Sequence, residues 1–159
     1  MLFRSPKVWR EAAERHELLA RRAEAQGANA TAVHHYDHAV EGYRMAQHPI
    51  FFDNHPVKKA LYRKLNEMVD RRSAVASYPI ERVEVPFDDG KTISCLFHML
   101  PGRRKAPVVI YVPGMDQSKE IFPKVSHNIA LARGFHVLAM DGPGQGNSNL
   151  QKIRAVGDN

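Results

Sequence analysis

Two short glycine-containing stretches of this 159-residue chain lie where chemistry could be done, each directly after an apolar run. In the first, Pro113-Gly114-Met115-Asp116 follows a continuous apolar run at 108–112. Ligands of open α/β sheets bind at the carboxyl ends of strands, where a glycine lets the main chain approach them closely. A tetrahedral acyl intermediate concentrates negative charge on one oxygen, and a backbone N–H aimed at that oxygen lowers the barrier by on the order of 3 kcal/mol. A plain strand-ending turn also accounts for Gly114, and the residues alone do not separate the two readings. The second stretch is Asp141-Gly142-Pro143-Gly144-Gln145-Gly146. A dinucleotide turn wants its last two glycines three apart and a helix beginning at once. Pro143 and the Asn/Ser-rich residues that follow oppose this, and no Gly-Lys-Ser/Thr is present. The chain contains no Gly-x-Ser-x-Gly. Ser148, in Gly146-Asn147-Ser148-Asn149-Leu150, lacks the second glycine and a preceding strand. Among nine histidines, His34 and His38 lie four apart, a spacing that can place two imidazoles on one helical face for zinc. The metalloprotease arrangement with an intervening Glu is missing, so a polar helix face lining a cleft is the preferred reading and no metal is expected.

The elements that must position these residues fall into two regions. Residues 6–76 read as helical. Trp9, Ala12, Ala13, His16, Leu19, Ala20 and Ala23 recur at three- and four-residue spacing. Ser5-Pro6 suits a helix start, Gly27 and Asn29 break the helix, and Thr31 is placed to cap a second. Val33, Tyr36, Val40 and Tyr43 form the next stripe, ended by His48-Pro49. A third helix is expected over about 57–75, with Leu61, Leu65, Met68 and Val69 inward. Near Tyr78-Pro79 the period becomes two. Val83, Val85 and Phe87, the tight-turn signal Asp88-Asp89-Gly90, then Ile93, Cys95, Phe97 and Met99 predict a β-hairpin. The run 108–112 suits a central strand covered on both faces. A helix starting at Pro123, with Val125, Ile129 and Ala132 inward and Gly134 at its end, and a buried strand at 135–140 complete a βαβ unit with a parallel pair. If the sheet stopped there, 135–140 would be its unpaired apolar edge.

Composition excludes several function classes. The formal net charge is +6, but residues 1–80 carry 13 Lys/Arg against 9 Asp/Glu and residues 81–159 carry 10 against 8. The excess is spread out, which is not the footprint of a nucleic-acid-binding protein. Cys95 is the only cysteine, so no intrachain disulfide forms. No window approaches the ~18 apolar residues of a membrane helix, and the first ten residues lack a signal-peptide run. A cytoplasmic protein is expected.

The pairing of Pro-Gly-Met-Asp-Gln-Ser-Lys-Glu (113–120) with Arg-Gly-Phe (133–135) and Asp-Gly-Pro-Gly-Gln-Gly (141–146) resembles the α/β-hydrolase family that contains 2,6-dihydroxypseudooxynicotine hydrolase, fungal polyketide-shortening hydrolases and related bacterial esterases. The resemblance is specific through 107–146 and loose through the helices. It implies a Ser–His–Asp triad, a helical cap over the active site corresponding to residues 6–76, and an oxyanion loop after the first buried strand. Met115 is then the best candidate for the backbone oxyanion donor, with Gly114 helping. Asp116 matches an accessory acidic position where relatives commonly carry Glu. It equally suits a cap of the following turn. Lys119 and Glu120 match the pattern or form a surface pair. The family's nucleophile elbow, Asp and His lie beyond the positions present.

The expectation is therefore an α/β fold: residues 1–78 as a helical cap region, and 79–159 as a β-hairpin plus βαβ unit forming the first strands of an α/β-hydrolase core, truncated before the nucleophile elbow. By resemblance the parent hydrolyses an ester or a C–C bond adjacent to a carbonyl. The expected partners are a small-molecule carbonyl or ester substrate and the missing C-terminal hydrolase portion, with a homodimer left open. No cofactor, nucleic acid or membrane is expected. This chain alone, lacking nucleophile and catalytic His, is expected to be inactive. A non-catalytic helical interaction module, or one chain of a split hydrolase, is the alternative.

Overall fold

The computed structural model describes residues 5–52, 54–87, 90–103, 105–114 and 116–150. The chain divides into two compact units, Met1–Ser77 and Tyr78–Asn159.

The first unit is three helices, α1 (Pro6–Ala25), α2 (Asn29–Gln47) and α3 (Pro56–Ala74). Pro6 and Pro56 sit in first turns, where their missing N–H has no helical partner to lose. The His55 imidazole caps α3 by accepting the Val57 N–H at 3.2 Å. Gly27, at φ 70, ends α1, and α2 restarts two residues later. Thr31 therefore lies inside the first turn of α2 and does not cap it. On α1 the inward face is Ala13, Glu17, Ala20 and Ala23, while Leu19 points outward at 42% exposure. Small residues let the helices approach closely: a Cβ on Gly42 would lie 2.8 Å from the Ala13 Cβ. Polar groups then join the three helices. Glu17 of α1 accepts from Tyr43 of α2 at 2.6 Å and from Lys64 of α3 at 3.0 Å. Buried Arg72 of α3 donates to Asp37 of α2 at 2.7 Å. Burying Glu17 in place of Leu19 is feasible because these donors replace the water it loses.

The second unit is a four-stranded mixed sheet of β1 (Ile80–Pro86), β2 (Thr92–His98), β3 (Val108–Tyr111) and β4 (His136–Met140), in the order β1-β2-β4-β3. β1 and β2 form the expected antiparallel hairpin, with Val83 opposite Cys95 and Val85 opposite Ile93. Asp88 and Asp89 of its turn lie outside the described residues, and Gly90 has φ 71. β2 pairs antiparallel with β4, and β3 pairs parallel with β4. Ile93 and Cys95 pack with Val83, Leu138 and Met140.

Two sequence expectations for this unit are corrected. β4 is not an edge, because β2 docks against it. β3 takes that place, and apolar residues of the run at 108–112 are open: Ile110 is 63% exposed and Val112, just past the strand, 55%. The run read as doubly buried is thus covered only in part, where the half-buried Tyr111 ring packs on Phe122 at 4.3 Å between centroids. The crossover helix is also short. α4 spans only Ile129–Ala132, because Asn128 starts it, its side chain accepting the Leu131 N–H at 3.2 Å. Val125 is buried in the irregular stretch before it, and Ile129 faces outward. Gly134, at φ 84, closes the turn in a Schellman pattern, with Phe135 N–H on Ala130 O and Gly134 N–H on Leu131 O.

Candidate functional site

Because β3 and β4 run parallel, the loops leaving their carboxyl ends, 112–120 and 141–150, emerge on one side of the sheet. Two side chains join these loops. Asp141, the first residue after β4, accepts the Lys119 N–H at 2.9 Å on one oxygen. Its other oxygen accepts the Lys119 ammonium at 2.7 Å and the Asn147 N–H at 2.9 Å. The ammonium also reaches Glu120 at 2.6 Å. Lys119 and Asp141 are fully buried and Glu120 nearly so, so Lys119 and Glu120 are not a surface pair. Asp141 draws them inward because it offers a carboxylate where β4 delivers it.

Burial works against each of these charges. The Lys119 pKa nevertheless lies above the ordinary lysine value, held there by Glu120 and Asp141. Burial also penalises ionised Glu120, but the adjacent ammonium and hydrogen bonds keep its pKa below the usual value. Asp141 goes the other way: burial and the Glu120 charge push its pKa up against the pull of Lys119. One ammonium thus serves two carboxylates, and Asp141 carries the imbalance.

The second tie is Gln145. Its carboxamide nitrogen donates to the Pro113 carbonyl at 3.0 Å and the Gly114 carbonyl at 2.8 Å, while its oxygen accepts the Gly142 N–H at 2.9 Å. These contacts explain the glycine-rich loop without a nucleotide. A Cβ on Gly142 would lie 2.7 Å from the Gln145 oxygen, and one on Gly146 would collide with the Asp141 carboxylate. Gly144 has φ 76.

Gly114 is different. It has no positive φ, and a Cβ there would meet nothing within 4 Å. The turn itself does not require a glycine. Gly114 is exposed at the mouth of the loop, with its carbonyl also accepting the Gln117 N–H at 2.9 Å. Asp116 is exposed in the same turn, and Met115 lies outside the described residues. Ser148 is buried in the 3-10 turn Gly146–Asn149, where its hydroxyl is not offered to a substrate.

The histidines separate by environment. His34 and His38 join His16 and His35 in one cluster across α1 and α2. Ring centroids lie 4.7 Å apart for His16 and His38 and 4.6 Å for His34 and His38, and His16 Nδ1 lies 3.1 Å from His35 Nδ1. Among the described residues, no group of three or more His, Cys, Asp or Glu is placed to hold a metal ion. His98 and His136 are packed in the sheet unit, His98 against the Tyr78 hydroxyl at 3.2 Å and His136 accepting the Leu100 N–H at 2.9 Å. Among the described residues, no helix is long and apolar enough to cross a membrane.

Sequence reasoning overlooked Gln145 and the inward role of Asp141. The available signal was the position of Asp141 directly after an apolar strand, where a carboxylate must find internal donors.

A family model described as FrsA-like, Esterase FrsA-like, matches residues 1–155. The chain is 31% identical over 147 residues to the 20-hydroxy-prefusarin hydrolase FUS2 of Gibberella moniliformis, a match covering 88% of this chain and 35% of that protein. It is 27% identical over 143 residues to the alpha/beta hydrolase gkaG of Penicillium citrinum, covering 87% of this chain and 33% of that protein. The crystal structure of the 2,6-dihydroxy-pseudo-oxynicotine hydrolase matches with a TM-score of 0.73 at 26% identity, over 92% of this chain and 40% of that one. The chain thus spans about a third of the length of the curated relatives it matches.

Proposed function

Because this chain belongs to the FrsA-like esterase family, within the α/β-hydrolases, we propose that it is the amino-terminal part of a serine hydrolase acting on an ester or on a C–C bond adjacent to a carbonyl. In this reading residues 79–159 are the opening strands of the catalytic sheet, and the helical unit forms a cap that shapes the substrate pocket. The residues beyond them supply the attacking serine, the histidine and the acid of the triad.

The observation that carries the reading is Gly114. It lies past the carboxyl end of β3, is exposed, and has no conformational or packing need to be glycine. A residue whose missing side chain serves nothing within its own fold is accounted for by a close visitor, here an acyl oxygen. As the serine attacks, that oxygen gains negative charge, and the backbone N–H groups of Gly114 and Met115 receive it. A further donor comes from the residue after the nucleophile. Asp116, at the rim of the same turn, is the accessory acid. The open edge of β3 supports the reading independently: Val108, Ile110 and Val112 suit burial under a further parallel strand and its helix.

The test is to express the gene with its reading frame beyond Asn159, alongside the 159-residue chain. The longer product should contain Gly-x-Ser-x-Gly after another apolar strand, cleave p-nitrophenyl esters and label with a fluorophosphonate. The 159-residue chain should do neither. Serine-inhibitor-sensitive turnover by the short chain, or a downstream frame without a nucleophile, overturns the assignment.

A further inference from the structure

We propose that Gln145 is a positioning residue for the oxyanion loop: by holding the Pro113 and Gly114 carbonyls it sets the direction in which the Gly114 N–H points. The catalytic meaning of this clamp rests on the hydrolase reading above, whereas the clamp itself rests on geometry.

Gln145 uses its whole carboxamide. A primary amide nitrogen has two hydrogens, and each has a carbonyl to meet, Pro113 at 3.0 Å and Gly114 at 2.8 Å. Its oxygen takes the Gly142 N–H at 2.9 Å. The amide can sit only one way round. Flipped, its oxygen would face two carbonyl oxygens, and its NH2 would face an N–H. The absence of a Cβ on Gly142 makes room for this oxygen.

The consequence follows from the peptide plane. Among the described residues the cis peptide bond is Phe122–Pro123, so the Pro113–Gly114 bond is trans. In a trans peptide the N–H points opposite to the carbonyl. Pinning the Pro113 carbonyl toward the loop after β4 therefore turns the Gly114 N–H away from that loop, to the exposed side. The Gly114 carbonyl is pinned too, because the same oxygen that accepts from Gln145 also receives the Gln117 N–H at 2.9 Å. A donor for an oxyanion must be oriented before the charge appears. Gln145 provides that orientation through the two main-chain carbonyls it holds.

The chemistry is specific to glutamine. Glutamate keeps the acceptor for Gly142 but places a carboxylate against two carbonyls. Methionine keeps the bulk and loses every hydrogen bond. The first measurement is amide hydrogen exchange on the 159-residue chain, wild type against Gln145→Glu and Gln145→Met. Exchange of the Gln117 amide is expected to speed about tenfold in both variants. The Gly142 amide should stay protected in Gln145→Glu and lose protection in Gln145→Met, with β4 amides unchanged in both. A Gln145→Met chain that exchanges like wild type at Gln117 overturns the clamp, because packing alone would then hold the loop. The second measurement uses the longer, ester-cleaving product. There Gln145→Met should lower kcat about tenfold with KM within twofold, and an unchanged kcat overturns the positioning role. Failure of the hydrolase reading registers separately, as absent fluorophosphonate labelling with the exchange pattern intact.

Discussion

The Lys119 ammonium lies 2.7 Å from an Asp141 carboxylate oxygen, and neither side chain reaches solvent. Glu120 shares the same ammonium at 2.6 Å. Removing that ammonium leaves two buried carboxylates without it. Lys119→Met is expected to destabilise the sheet unit by about 3–5 kcal/mol, the usual cost of stranding a buried charge. Urea denaturation followed by far-UV circular dichroism reads this directly. A change below about 0.5 kcal/mol, the range of a neutral surface substitution, would show that the ion triad does not hold the two loops.

Acid should loosen the helical unit. Burial lowers the pKa of His16, and the neighbouring His38, His35, His34 and Arg15 lower it further. Burial also lowers the His35 pKa, with help from His34 and His38. A base whose folded pKa lies below its unfolded value of 6.5 takes up its proton more readily in the unfolded chain. The stability it confers is complete above pH 6.5 and declines as the pH falls from there toward the folded values. The melting temperature of the helical transition should drop by several degrees between pH 7 and pH 5. His16→Gln with His35→Gln should flatten that slope, and a slope unchanged by the double substitution would acquit the cluster.

Alkali should act through tyrosine. Burial, aided by the Glu24 carboxylate that accepts its hydroxyl proton, pushes the Tyr36 pKa up to about 12. An unfolded tyrosine ionises near 10. Between pH 10 and 12 the unfolded chain releases a proton that the folded chain keeps, so stability falls across that window, by on the order of 2 kcal/mol. Tyr43, raised by burial and by Glu17, acts with the same sign. Tyr36→Phe should shrink the loss without removing it. Denaturant titrations at pH 9 and pH 12 make the comparison, and an identical loss in the variant would discard the Tyr36 contribution.

Gly42 sets the approach of α1 to α2. A methyl there meets Ala13 Cβ at 2.8 Å and Ala13 Cα at 3.1 Å, and the latter is backbone that cannot swing aside. Overpacking costs typically 1–3 kcal/mol, which outweighs the gain of up to about 1 kcal/mol from replacing glycine by alanine in a helix. Gly42→Ala should be net destabilising, and Ala13→Gly should relieve the Cβ part of the clash while the 3.1 Å contact with the Cα stays. A double-mutant cycle showing simple additivity would contradict the contact.

Much of this architecture was legible because periodicity reports burial directly. The three helices, the hairpin and the parallel βα-type pair follow from spacing, and the motifs through 107–146 pointed to the family that the family model and the curated relatives also indicate. What stayed hidden depended on partners distant in sequence. Nothing local says that Glu17 is buried and Leu19 exposed, since that depends on Tyr43 and Lys64 arriving from other helices. The edge position of β3 depends on β2 claiming the other side of β4. The sequence leaves Lys119 and Glu120 open between a family-pattern match and a surface pair, because the Asp141 carboxylate that meets the ammonium lies 22 residues on. Gln145 drew no reading, because two of its three hydrogen-bond partners, Pro113 and Gly114, lie about thirty residues earlier.

The strand order β1-β2-β4-β3 also dictates a timetable for the nascent polypeptide. The hairpin can zip as soon as both its arms leave the ribosome, since they are close neighbours in the chain. Val108–Tyr111 emerges next and finds no seat, because the one strand it pairs with among those described, His136–Met140, is still to be translated. For that interval an oily segment waits in the open, and a chaperone acting on this protein would meet it there first.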